Sequence, residues 1–484
     1  MEKLKEKLTI PNLIIAFIIL QPIIDIITCL SIKYLDTTIT IGIIIRTAFM
    51  IFITLLGFIK ADKKYKIGMY VYYGALLAYM AGFMINSYMK NGTDLILLQI
   101  KGLIKGFYLP IILVALIPVF KAYKIKVDKK IFNIVLMICV LTIIICDITG
   151  IGVPTYKEEN KVGTMGFFYS ANEISAILCL LSPFLGSKLL DEKLKFENII
   201  FMLLYVYAVF RLGTKVPYFG LIILIVSIIF ACIVYDIIQK KKYLYKRAGI
   251  LFVCLICIYL VTGITPVGKN LITMYGDIFL ITEKRIQAKT AQQQPETEVQ
   301  PQPQPQSQPQ FFEIKEFESF EELTSKSVSG RADYLKTNKE TFLNGNLLDK
   351  LLGIGFVEDV DGEIQELKLT EMDYFDILFS NGILGTILFA VPMLIFAFMF
   401  IRYSIQNKNK ITIDLELIYS IVMAAAVALL AGHVLVSPGV NIYIAIILVR
   451  YDYELRIEEE EVENNNTSTP FSRRRGRKNN CNIK

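Results

Sequence analysis

Apolar runs of membrane-spanning length, separated by short polar connections, recur along most of the chain. Crossing the hydrocarbon core of a bilayer takes about 20 residues of helix, so this pattern predicts transmembrane helices rather than a buried globular core. Their expected positions are 10–32, 39–59, 67–85, 95–120 and 131–148, followed by 167–185, 198–210, 216–238 and 248–263. Residues 265–373 break the pattern, and the apolar runs resume at 374–401, 413–431 and 433–449, the last interrupted by Pro438 and Gly439. The expectation is an all-α polytopic membrane protein of about 12 helices. It divides into an N-terminal bundle (1–264, nine of these runs), a water-facing segment (265–373), three C-terminal helices (374–450) and a charged tail (451–484).

Orientation follows from the lysines and arginines of the short connections. Lys3, Lys5 and Lys7, then Lys63, Lys64 and Lys66, then Lys121 to Lys130, Lys188 to Lys195, Lys240 to Arg247 and Arg402 to Lys410 fall in every second connection. Cytoplasmic loops carry this excess, which puts both termini in the cytoplasm and the segment 265–373 outside, beside the polar connection 150–165. The first run is longer than a signal-peptide core and lacks a small-residue cleavage site, so it is read as a retained span. Within the long segment, 291–310 is rich in Gln and Pro and too poor in apolar side chains to fold, whereas the spacing around 334–352 predicts one or two short helices over the membrane surface.

Composition narrows the classes. With 54% hydrophobic and 20% charged residues the chain does not suit water as its solvent. The net charge of +7 comes from loop lysines and gives no reason to invoke nucleic acid; the basic tail suits anionic lipid headgroups. Seven of the eight cysteines sit within apolar runs, and the Cys254/Cys257 pair has no second Cys or His cluster to complete a metal site.

Ionisable residues inside spans are costly, so each is a candidate functional group weighed against snorkelling at helix ends. Asp25 and Arg46, on successive helices, suit an ion pair. Lys101 and Lys105, one turn apart, repel one another unless an anion or carboxylate faces them. Arg211-Leu-Gly-Thr-Lys215-Val-Pro217 puts two cations at a turn with room for an anion, or is a plain turn with snorkelling cations. Asn172 and Glu173 lie just inside a boundary where a carboxylate needs a partner, with Asp147 among the other embedded charges. Glu371, Asp373 and Asp376 sit where the outer segment re-enters the membrane; they suit proton acceptors with raised pKa values, or simple helix N-terminal carboxylates.

Taken in order, Gln21-Pro-Ile-Ile-Asp25, the 166–173 stretch, Leu212-Gly-Thr-Lys215, Ser329-Gly-Arg331, Leu352-Gly-Ile-Gly355 and the 371–385 stretch resemble the O-antigen ligase and O-antigen polymerase superfamily, in its Gram-positive branch. The resemblance covers most of the chain from Leu20 to Val449. It implies a C-type glycosyltransferase-like fold in the bacterial plasma membrane, with no metal or cofactor. The donor it implies is a glycan on undecaprenyl diphosphate at the outer leaflet, and the acceptor a glycan or glycolipid hydroxyl. By that resemblance Arg331, Glu371 and Asp373 are the catalytic candidates. Lys215, Arg211, Lys105 and Arg46 are the diphosphate-binding candidates, and Asn172, Glu173, Asp25 and Tyr374 those for the sugar. One departure is clear: better-known members resemble a His-Asn-x-Tyr pattern where this chain has Glu371-Met-Asp-Tyr374. The lone histidine, His433, lies elsewhere, and a packing role is expected for it although its helix end could approach the same cavity.

A transporter, such as a lipid-linked oligosaccharide flippase, would also line a path with embedded charges and broken helices. No half-to-half inverted repeat is evident, however, and the charges lie toward one side. A sensor or scaffold using the outer segment would leave the membrane cations without a task.

Overall fold

A computed structural model describes residues 9–35, 40–92, 96–158, 160–239, 242–273, 331–360, 363–406 and 415–467. The Gln/Pro-rich stretch 291–310, Ser329 and Gly330, and the basic end of the tail lie outside the described residues.

Helices occupy each of the predicted apolar runs. They are α1 (Ile10–Leu35), α2 (Ile41–Lys60), α3 (Lys63–Asn91), α4 (Ile96–Tyr123), α5 (Lys129–Thr149), α6 (Ala171–Gly186), α7 (Phe196–Leu212), α8 (Lys215–Gln239) and α9 (Lys242–Thr262). Two short helices follow, α10 (Arg331–Asn344) and α11 (Leu347–Leu352), then α12 (Asp373–Gln406), α13 (Leu415–Leu430) and α14 (Pro438–Thr467). Nine of the described helices are long and apolar enough to cross a membrane, and α13 is a shorter apolar helix. The protein is therefore a multi-pass membrane protein.

Local chemistry sets many of the ends. Asp62, Asp128 and Ser170 cap α3, α5 and α6 by accepting from backbone N–H groups of the first turn, and Gly150 closes α5 in a left-handed conformation. Asn346 and Asp349 form a reciprocal capping box on α11. Pro438 opens α14, where a missing N–H costs nothing. The predicted span 433–449 is thus corrected: residues 431–437 form a non-helical loop ahead of the helix.

Pro118 in α4, Pro183 in α6 and Pro392 in α12 each free a carbonyl four residues earlier, which in lipid must find another donor. Hydroxyls supply it. Tyr65 donates to the Val114 carbonyl freed by Pro118 (2.9 Å), Tyr72 to Leu388 freed by Pro392 (3.1 Å), and Ser182 to Cys179 freed by Pro183 (3.0 Å). Two of these bonds also tie α3 to its neighbours.

The core has two centres. Helix α4 is buried along Phe107, Tyr108, Leu109, Ile112, Leu116 and Phe120 against α2, α3, α12 and α14, while α6 is surrounded by α5, α8, α13 and α14. The buried stretch of α14 from Val440 to Val449 touches both. Two small antiparallel hairpins, which the apolar pattern did not foreshadow, complete the fold: β1 (Val153–Pro154) with β2 (Thr164–Gly166), and β3 (Val357–Val360) with β4 (Glu363–Glu366). Residues 266–273, expected in the water-facing segment, are helical and dock through Asn270, which bonds both to Val162 and to the Gly213 carbonyl.

Candidate functional site

Between α1, α2, α4, α6, α12 and the β3–β4 hairpin lies a cavity of about 530 Å³. Its walls carry Asp25, Arg46, Lys101, Lys105, Glu173, Glu366, Asp376 and His433, charges contributed by segments more than 400 residues apart.

Gln21 and Asp25 stand one turn apart on α1, on one face. Both reach the same guanidinium: Arg46 Nε donates to Gln21 Oε1 (2.9 Å) and Nη2 to Asp25 Oδ1 (2.5 Å), with both charged side chains buried. Lys101 pairs with Glu366 of β4 at 3.1 Å. Its neighbour Lys105 lines the cavity without an ion-pair or hydrogen-bond partner among the described residues, and so does the Glu173 carboxylate. Gly102 leaves the space that the Phe356 ring fills at the root of the hairpin, since a Cβ there would fall 2.2 Å from the ring.

Thr28 Oγ1, Thr47 Oγ1, Tyr108 OH, Ser380 Oγ and Asn381 Oδ1 are buried and unpartnered among the described residues, and all five residues line this cavity. An unsatisfied buried polar atom costs about 1–3 kcal/mol. Such a concentration around one space suits a ligand rich in hydroxyls. Replacing Lys105 with methionine keeps the length of the side chain and removes the charge. The expected result is at least a tenfold loss of affinity for an anionic probe, inorganic diphosphate, read by equilibrium binding to the purified protein, with little change in thermal midpoint.

A second cluster adjoins the cavity. Arg331, buried at the start of α10, donates through Nη2 (2.9 Å) and Nε (3.2 Å) to Glu371 Oε2 and through Nη1 to the Leu430 carbonyl (3.1 Å). Asn172 Nδ2 reaches the same Glu371 oxygen at 3.4 Å. Three sequence candidates thus meet directly, and Lys215, at the first turn of α8, lies within electrostatic range of Arg331 and Lys161. Burial raises the Glu371 carboxyl, but the Arg331 hydrogen bond and the charges of His433, Arg331 and Lys368 outweigh it and hold the group below the usual glutamate range.

A depressed carboxylate contributes stability that is fully present above its unfolded value, 4.5 for glutamate, and is lost as pH falls through the lower folded value. The difference in thermal midpoint between the protein and Glu371→Gln is therefore expected to hold above pH 5 and to shrink below about 4.5. A difference independent of pH down to 3 would contradict the pairing.

Other candidates are placed differently. Asp373 is fully buried, with its oxygens accepting from the N–H groups of His433 (2.8 Å), Val434 (2.8 Å) and Leu435 (2.6 Å). It clamps a loop and does not line the cavity, so the geometry gives it no access to a reacting hydroxyl. Asp376 reaches the wall but accepts from Thr370 N and Oγ1 and from Met372 N, which folds the entry to α12. Arg211 is committed to Asp147 through Nε (2.7 Å) and Nη2 (2.5 Å), with Tyr207 on the same carboxylate, away from the cavity lining. Tyr374 is 43% exposed and also outside that lining.

His433, whose helix end was expected to be able to approach the cavity, is among its lining residues. It lies within electrostatic range of Glu371, and its backbone is left-handed (φ 59°), as is that of Glu371 (φ 56°). Gly432 packs directly against the Glu371 backbone: a Cβ there would fall 2.6 Å from the carbonyl of Glu371. Non-glycine residues held in this region store strain of about 1–3 kcal/mol each and collect at functional sites.

No curated protein and no solved structure matches the chain. A family model described as O-antigen ligase like membrane protein matches residues 6–458, and the chain belongs to that family.

Proposed function

We propose that the protein is a glycosyltransferase that takes a glycan from undecaprenyl diphosphate at the outer leaflet and passes it to an acceptor hydroxyl, building a cell-surface polysaccharide. The observation that carries this reading is the Lys105 ammonium, unpaired among the described residues, in a cavity lined by five polar atoms likewise unpartnered among them, flanked by the Arg331–Glu371 pair. Breaking a bond between an anomeric carbon and a diphosphate needs fixed positive charge where the leaving oxygen gains negative charge. Lys105 and Arg46 are suited to that task from within the cavity, with Arg331 and Lys215 at its side. The unpartnered hydroxyls and amide suit the sugar, along with Glu173 and the Asp25 end of α1.

In this reading the termini are cytoplasmic and α10, α11 and the β3–β4 hairpin cover the cavity on the outer side. The test is a glycolipid profile of a strain lacking the protein. A single repeat unit accumulating on the carrier identifies a polymerase, and long chains on the carrier identify a ligase. Unchanged carrier-linked glycans together with normal surface polymer would refute the proposal.

A further inference from the structure

We infer that His433, and not Glu371, takes the proton from the acceptor hydroxyl; the inference rests on the glycan-transfer reading above and names the base within it. Geometry separates the two residues. Glu371 is tied through one oxygen to two nitrogens of Arg331 and to Asn172, and it is not part of the cavity lining. His433 is part of that lining, and its imidazole has no hydrogen-bond partner among the described residues.

The fold spends conformational strain on this placement. Asp373 grips three consecutive N–H groups starting with that of His433, Gly432 seats against the Glu371 backbone, and the result is a histidine in the left-handed region at the cavity wall. With one buried carboxylate holding three consecutive N–H groups, the backbone at His433 is fixed, and the fold seats this residue at the cavity wall. The charged groups around it are Glu371 and Asp373 on the entry to α12, Asp376 further along that helix, Arg331 on α10, Lys368 and Glu173. Across the cavity stand Lys105, the Lys101–Glu366 pair and the Asp25–Arg46 pair.

The step balances without a further reactant. The acceptor O–H bond breaks and its proton goes to an imidazole nitrogen, while the oxygen's electron pair forms the new bond to the anomeric carbon. The bond from that carbon to the diphosphate breaks, and its electrons leave with the diphosphate, facing Lys105. The imidazolium then returns its proton to water. Glu371 acts through Arg331 as a positioning residue: it holds the guanidinium in place.

The chain has one histidine, which makes the test direct. The full-length protein is reconstituted in vesicles with a synthetic undecaprenyl-diphosphate oligosaccharide as donor, and turnover is followed across pH 5–8, where imidazoles change charge. His433→Asn is the first variant, because asparagine tolerates the left-handed conformation but cannot act as a base at these pH values. Its turnover at neutral pH should fall by about 10²–10⁴-fold, with the acidic limb of the profile lost and donor affinity within about twofold. Glu371→Gln should retain the limb. As a check that needs no variant, diethyl pyrocarbonate should inactivate the native protein in step with acylation of one imidazole, donor should protect, and hydroxylamine should restore turnover.

Full turnover with His433 modified, a wild-type profile in His433→Asn, or loss of the limb in Glu371→Gln instead would each overturn the assignment to His433 while leaving glycan transfer intact. Failure of the wild-type protein to turn over any lipid-diphosphate glycan would remove the glycan-transfer reading, and this inference with it.

Discussion

Replacing Arg331 with alanine is expected to lower glycan transfer by about 10²–10³-fold while leaving a folded protein. Arg331 joins three separate parts of the chain: it starts α10, its Nε and Nη2 hold Glu371 ahead of α12, and its Nη1 holds the last carbonyl of α13. Removing the guanidinium leaves a half-buried carboxylate with the Asn172 amide as its remaining side-chain donor among the described residues, and with only the more distant charges of His433 and Lys368 to offset it. Breaking a fully buried pair costs about 3–5 kcal/mol, but the Glu371 side chain is 31% exposed, so the stability loss should fall below that range. Lysine at this position would keep the charge and lose the fork that grips Glu371 and Leu430 together, and should recover only part of the activity. Turnover per folded protein, with the amount folded measured by size-exclusion chromatography in detergent, separates the two effects. Turnover in Arg331→Ala within threefold of the wild type would remove Arg331 from the site.

Uninterrupted apolar runs were sufficient to locate the helices, because lipid leaves backbone polar groups no other partners. Single-helix patterns also carried some of the site: Gln21 and Asp25 share a face by spacing alone, and Arg46 sits where it can reach them. Contacts between distant segments were not legible in this way. The grip of Asp373 on the loop after α13 links residues sixty apart through backbone N–H groups, which leave no trace in side-chain pattern. Asp373 therefore read as a proton acceptor or a helix N-terminal carboxylate, and His433 as a packing residue at a helix end near the cavity. Arg211 read as an anion ligand or a snorkelling cation because its partner Asp147 lies on α5, two helices back in sequence. Glu366 gave no signal at all, since the short, polar β3–β4 hairpin has no alternation of apolar positions to mark it.

Glycine motifs were visible as letters but not as geometry, and Gly382 is where their meaning is most testable. Helix α12 breaks there, with φ 66° and ψ −174°, a combination open essentially to glycine alone. A Cβ at Gly382 would fall 2.4 Å from the Gly353 nitrogen and 2.6 Å from the Leu351 carbonyl, while a Cβ at Gly353 would fall 2.1 Å from the Ser380 oxygen. The two backbones touch, which lets Ile354 N donate to Phe379 O (2.9 Å) and Gly355 N to Ser380 O (3.2 Å). Tyr79 from α3 seals the junction by donating to the Asn381 carbonyl at 2.8 Å, with that of Leu352 at 3.1 Å. Ser380 and Asn381 on one side and Phe356 on the other then line the cavity. Backbone atoms cannot rotate away as side chains do, so Gly382→Ala must separate the two segments. The strained conformation alone costs about 1–3 kcal/mol, and loss of the junction bonds adds to it. The expected outcome is a clear fall in thermal midpoint together with loss of turnover and of donor binding. Gly74→Ala is the matched control: it lies within α3, nothing stands within 4 Å of its Cβ position, and helix propensity favours alanine. That variant should be neutral or slightly stabilising. If Gly382→Ala were as stable and as active as Gly74→Ala, the break in α12 would not be the structural floor of the cavity.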